Sequence, residues 1–290
     1  MTAAATVERL AVLLEAGIAP LAAWQYLAEH DDLATAVRAA SSSPDEVAAA
    51  IRQHAVDAHD DVGWRCVAAA WEVATGAGAP LAPTLLRLAE VLHEQEEQSR
   101  EVEVALAGPR ATARVMLALP PIGLALGALL GVDVLGALLG SPPGLVCLGV
   151  GIALLLAGRR WTGRLVATAR ERDPTPGLAL ELVAIAVAGG ASAASALQRV
   201  ASALEAAGLR VADDPDATLE FAARAGVPVA ALLRSSAREA RRAARARSRR
   251  RAAELGTRLL LPLGVCILPS FVALGVTPFL LAMLAGATIG

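Results

Sequence analysis

Three long uncharged stretches constrain this chain more than any other feature. Between Arg114 and Asp133 lie 18 residues without a charge, 25 more run from there to Gly158, and all 32 residues after Arg258 are uncharged. A helix needs roughly 20 apolar residues to cross the hydrocarbon core of a bilayer, where each backbone polar group must be satisfied within the segment. In the middle stretch, Gly140-Ser141-Pro142-Pro143-Gly144 is turn chemistry. The spacing therefore predicts a transmembrane hairpin, with spans over 115–137 and 142–158, and a third span over 259–285. Leu182–Leu197 is also apolar, but it is rich in Ala, Gly and Ser and holds only 16 residues. It is expected as buried helix of a water-soluble body. Glu8, Arg9 and Glu15 interrupt the N-terminal pattern, so no signal peptide is expected.

The distribution of arginine gives an orientation. Arg110 and Arg114 precede the first stretch, and Arg159, Arg160 and Arg164 follow the second. Ten arginines lie from Arg234 to Arg258, while the hairpin tip and the C-terminal tail have none. By the positive-inside rule, segments 1–114 and 159–258 are cytoplasmic, and the hairpin tip and C-terminus face outward. Trp161 suits an interfacial anchor, and Asp133 suits the outer end of its span better than a proton relay.

Several chemistries are excluded or unsupported. All 26 basic residues are arginine, so the chain has no lysine for a P-loop, a Schiff base or a kinase-type phosphate contact. A net charge of −2 gives no case for nucleic acid as a partner. Cys66, Cys147 and Cys266 are too far apart in sequence for a CxxC motif. His54 and His59 with Asp57, Asp60 and Asp61 match no zinc or calcium spacing. Glu90-Val-Leu-His93 is a single Glu-x-x-His, where a di-iron bundle requires two. With no hydrolase, zincin or dinucleotide motif either, the sequence predicts a non-enzyme without cofactor or metal. A hydrophobic fraction of 56% excludes intrinsic disorder.

The two cytoplasmic segments read as copies of one unit. Leu14-Glu-Ala-Gly17-Ile-Ala-Pro-Leu-Ala-Ala-Trp-Gln25 can be laid on Val187-Ala-Gly-Gly190-Ala-Ser-Ala-Ala-Ser-Ala-Leu-Gln198, and Gly78-Ala-Pro80-Leu on Gly226-Val-Pro228-Val. Arg110 then falls on Arg258, and Leu119-Pro120 on Leu268-Pro269. The order of glycine breaks, a long charged helix and a span recurs in both. The first copy is longer, and its insertion holds Ser43 as a helix cap with Pro44 at the first helical position. Asp213-Asp-Pro-Asp216 plays the corresponding part in the second. No segment alternates with period two for long enough to form a strand. The expected fold is an all-α membrane protein, with two related cytoplasmic helical bundles and three transmembrane helices.

Two patterns suggest surfaces. Glu90, Glu94, Glu97 and Glu101 form an acidic stripe on the long helix of the first copy, and Arg234, Arg238, Arg242, Arg245 and Arg249 form a basic stripe on that of the second. Either the stripes meet each other or they meet charged surfaces of a cytoplasmic partner; otherwise they are solvated faces with ordinary positive-inside arginines. Gly123, Gly127 and Gly131 recur every four residues in the first span, a spacing that lets helix backbones approach closely in lipid. Pro120, Pro121, Pro262, Pro269 and Pro278 imply kinked spans.

Six segments carry a family resemblance: Leu13-Leu-Glu-Ala-Gly17-Ile-Ala-Pro20-Leu, Gly76-Ala-Gly-Ala-Pro80-Leu, Gly108-Pro-Arg-Ala-Thr-Ala-Arg114, Leu119-Pro-Pro-Ile-Gly123, Arg159-Arg-Trp161 and Leu268-Pro-Ser-Phe271. Through them the chain resembles the type II secretion F-domain family, the inner-membrane platform proteins of type II secretion, type IV pilus and Tad pilus machines. It looks most like the actinobacterial Tad-type members. Those platforms commonly come as two proteins with one F domain each, whereas here both copies lie in one chain. The resemblance implies a plasma-membrane platform that couples a secretion-type hexameric ATPase to pilin or pseudopilin assembly, as a homo-oligomer or with a second platform protein. It would assign ATPase contacts to Glu90, Glu94, Glu97, Glu101, Arg238, Arg242 and Arg245, and oligomer or pilin contacts to the glycine face. The alternative is a small polytopic transporter or permease subunit, in which repeats are also common but sites lie among ionisable residues at the bilayer midplane.

Overall fold

The computed structural model describes residues 2–56, 61–129, 136, 139, 142–170, 175–210 and 212–277. Regular structure among them is entirely helical. The chain divides into two compact units, Met1–Ser99 with Asp173–Ala246 and Arg100–Arg172 with Arg247–Gly290.

In the first unit, polar caps and glycines set the helix ends. Helices α1 (Ala3–Glu15), α2 (Pro20–Ala28), α3 (Asp32–Ala40), α4 (Val47–Ala55) and α5 (Asp61–Ala77) lead into α6 (Leu81–Leu129). Asp31 caps α3 by accepting from the Leu33 and Ala34 amides, and its other oxygen accepts from the Thr6 hydroxyl at 2.8 Å, tying α3 to α1. Ser43 and Glu46 form the capping box of a short 3-10 turn with Pro44 at its start. The second segment supplies α8 (Leu178–Ala188), α9 (Ala193–Ala206), α10 (Pro215–Ala225) and α11 (Val229–Arg258). Asp214 caps α10 ahead of Pro215.

These two segments, expected as separate bundles, share one apolar core within this unit. The reason lies in α5 and α8. Trp64, Cys66, Val67, Ala68, Ala69, Ala70, Trp71, Val73 and Ala74 of α5 are all buried, and so is most of α8. A helix apolar on every side must be covered on every side, which one small amphipathic bundle cannot do. Helix α5 packs against α1 and α4 from its own segment and against α8 and α9 from the other. Small residues permit the contact: a Cβ placed on Gly189 would lie 2.6 Å from the Ala77 carbonyl oxygen. Trp24 sits at the centre, with ring centroids 6.4 Å from Trp64 and 6.0 Å from Trp71, and the Trp71 indole donates to the Pro44 carbonyl at 2.8 Å.

The second unit holds the remainder of α6, helix α7 (Pro142–Arg170), the end of α11 and a helical run over 260–277. Two of its helical stretches are long and apolar enough to cross a membrane, Gly144–Leu165 and a window within Val229–Leu274. Leu145, Val146, Val150, Ile152 and Leu156 of α7 are exposed, an apolar surface that water would not favour and lipid would. The first uncharged stretch is helical as far as Leu129, while Asp133, the hairpin turn at Gly140-Ser141 and the residues beyond Thr277 lie outside the described residues. In the run over 260–277, Pro262 and Pro269 lack the amide that would continue an α-helical ladder. Two π turns, Leu263–Ile267 and Val272–Val276, flank Leu268–Phe271. The buried Ser270 hydroxyl donates to the Ile267 carbonyl at 2.7 Å.

Candidate functional site

Helix α8 is apolar throughout except for Glu181, which is only 7% exposed. A buried carboxylate requires a cation beside it, and α11 provides one. Arg241, also 7% exposed, places NH1 3.7 Å from Glu181 Oε2, and the Arg234 Nε lies 4.0 Å from Oε1. From the other segment, Glu94 of α6 reaches Arg241 Nε at 3.5 Å and Arg245 NH2 at 3.1 Å. Arg241 thus bridges two glutamates drawn from the two halves of the sequence. Its Nε and NH1 form no hydrogen bond with suitable geometry, so charge rather than directional bonding holds this junction. Burial, and then the nearby Arg87 charge, lower the Arg234 guanidinium from its ordinary value, with Glu181 opposing.

In the second unit, Glu101 and Arg249 form a bidentate pair at 2.8 and 3.0 Å. Arg249 is raised from its ordinary value by that hydrogen bond and by the Glu101 charge.

The stripes expected from sequence are therefore split. Glu94, Glu101, Arg245 and Arg249 pair with each other's stripe, as one of the readings anticipates. Glu90, Glu97, Arg238 and Arg242 are exposed and make no ion pair among the described residues. Arg234 is turned inward to Glu181. Sequence reasoning missed Glu181 and Arg241. The available signals were Glu181 itself, a lone charge in an apolar helix, and the spacing of three and four that sets Arg241 beside Arg238 and Arg245 on one helix face.

The expected glycine face falls largely outside the described residues. Gly123 and Gly127 are helical residues of α6 whose surroundings lie outside what is described, and Gly131 lies outside the described residues altogether. A close approach that is described lies on α7. A Cβ on Gly151 would collide with the Leu274 side chain, and one on Gly158 would lie 3.1 Å from Cys266 Cβ and 3.4 Å from Ile267 Cγ1. Seven residues apart, Gly151 and Gly158 occupy one face two turns apart. They match Leu274 and Cys266 in antiparallel order. Of the histidine–aspartate cluster, Asp57, His59 and Asp60 lie outside the described residues, and Asp61 is engaged by Arg65 at 2.7 Å. His93 stands 3.9 Å from Glu8. No group of three or more potential metal ligands occurs among the described residues.

Among the described residues, regular structure is helical, two helical stretches are long and apolar enough to cross a membrane, and the helical body is charge-paired. Residues 6–128, a little under half of the chain, match the family model described as Type II secretion system (T2SS), protein F, so this segment is similar to that family. No curated protein and no solved structure matches. Proteins of the family are inner-membrane platform proteins of type II secretion and pilus assembly rather than enzymes, and in general they work with a secretion ATPase and pilins.

Proposed function

We propose that this protein is a three-span platform of a Tad-like pilus or related secretion machine, which passes the motion of a cytoplasmic ATPase to pilin subunits in the bilayer. The observation that carries this reading is the protein F match over residues 6–128, joined to a second segment that completes the same helical core. The N-terminus and both repeats are cytoplasmic, and the C-terminus lies outside. Antiparallel packing of Gly151 and Gly158 against Leu274 and Cys266 supports that path, since the second span then runs inward and the third outward. Without a lysine the chain cannot form the P-loop of its own motor, so the motor acts in trans.

The contact surface for the motor comprises the charges not consumed internally: Glu90 and Glu97 on α6, Arg238 and Arg242 on α11. Exposed charges of both signs steer association and fix orientation more than they add affinity. The quadruple variant Glu90→Gln, Glu97→Gln, Arg238→Gln, Arg242→Gln should insert at wild-type levels yet lose pilus assembly or secretion. Wild-type assembly by that variant would remove these residues from the motor interface.

A further inference from the structure

The shift of 148 residues that carries Gly78 onto Gly226 also carries Glu90 onto Arg238, Glu94 onto Arg242, Glu97 onto Arg245 and Glu101 onto Arg249. Every position of the acidic stripe thus has a basic counterpart in the second copy. The apolar positions are not reversed: Leu85 falls on Leu233 and Ala89 on Ala237, and all four are buried. Upstream, the shift of 173 residues that carries Gly17 onto Gly190 also carries Glu8 onto Glu181, Val7 onto Leu180, Leu10 onto Val183 and Ala23 onto Ala196. Each of these apolar pairs is buried in both copies. Combining the two shifts, the Glu8–His93 contact of the first copy corresponds position for position to the Glu181–Arg241 contact of the second.

The ion pairs follow this register. Glu101 bonds to Arg249, its own counterpart, in the second unit. In the first unit Glu94 reaches Arg245, the counterpart of Glu97, and Arg241, the counterpart of His93. Residues that meet their own equivalents mark an interface of the two-fold, self-complementary kind. In such an interface between identical helices, Glu101 would face Glu101 and Glu94 would face Glu97, with like charges opposed. We infer that the α6–α11 seam is a pseudo-symmetric pairing surface whose reversed charges select the second half of the same chain as partner for the first, and reject pairing of α6 with α6 or α11 with α11 of another copy. Specificity of this kind rests on the penalty against the wrong partner as much as on attraction to the right one.

This inference rests on the repeat reading above but not on any motor or pilin contact. Its test uses the full chain in native membranes, in a Cys147→Ala background because the other two cysteines are buried. A short bismaleimide should link Glu101→Cys to Arg249→Cys within the monomer, identified by the cross-linked peptide, while Glu101→Cys alone gives no covalent dimer. Reversing one side of the seam with Arg245→Glu should cut the intrachain yield about fivefold. Adding Glu94→Arg should restore it, which separates charge selection from misfolding. Covalent dimer from Glu101→Cys alone at the yield of the intrachain link, or failure of the compensating reversal to restore the link, would overturn the inference. Failure of the unsubstituted chain to recover an ATPase, with these links formed as expected, would instead count against the platform reading alone.

Discussion

At the scale of residues, the junction of α6, α8 and α11 turns on which charges face inward, with Arg241 set between Glu94 and Glu181. Period and charge identify Glu94 and Glu101 as positions on one helix face, but whether a charge meets solvent, its own chain or a partner depends on what packs beside it. Arg241 shows the limit. In sequence it is one of ten arginines between Arg234 and Arg258, yet in the fold it is buried between two glutamates. Removing one partner of a buried pair leaves an uncompensated charge and costs about 3–5 kcal/mol. Arg241→Ala should therefore lower the temperature at which the detergent-solubilised protein loses its monodisperse peak by several degrees. Arg238→Ala, at an exposed position, should leave it within a degree or so. Equal behaviour of the two variants would show that the junction does not contribute to stability.

At the scale of elements, the glycines that backbone geometry requires can be read from sequence more directly than those that packing requires. Gly17 and Gly190 have φ of +83° and +97°, and each ends a helix with the same kind of reverse-turn bond: Ile18 amide to Leu13 carbonyl in one, and Ala191 amide to Ala186 carbonyl in the other. A left-handed C-cap leaves its mark in the sequence because few other residues fit it. Helix-packing glycines carry no such mark. The regular spacing of Gly123, Gly127 and Gly131 drew attention, while Gly151 and Gly158 make the close contacts that are described. Gly151→Leu and Gly158→Leu should each overpack the α7 contact with the run over 260–277, a class of change that costs about 1–3 kcal/mol, and should lower the same midpoint. Gly149→Ala and Gly163→Ala face open space and should be neutral or slightly stabilising, since alanine is the better helix former. The π turns beside Pro262 and Pro269 were foreshadowed only as kinks, because proline states that a bond is missing without stating how the helix absorbs the loss.

At the scale of the whole molecule, two of the three expected membrane-length stretches followed from charge-free length, and the likeness of residues 6–128 to protein F from glycine and proline landmarks. What sequence could not supply was the sharing of one core by two distant segments, since local periodicity reports which face of a helix is apolar and not which helix covers it. The central claim, a platform driven by an external motor, is tested most directly by affinity purification of the tagged chain from its native membrane in mild detergent, with the co-purifying proteins identified by mass spectrometry. The account predicts recovery of a secretion-type ATPase, lost in the quadruple variant at Glu90, Glu97, Arg238 and Arg242 while membrane insertion is kept. Recovery of the chain alone, under conditions that hold other membrane complexes together, would contradict it.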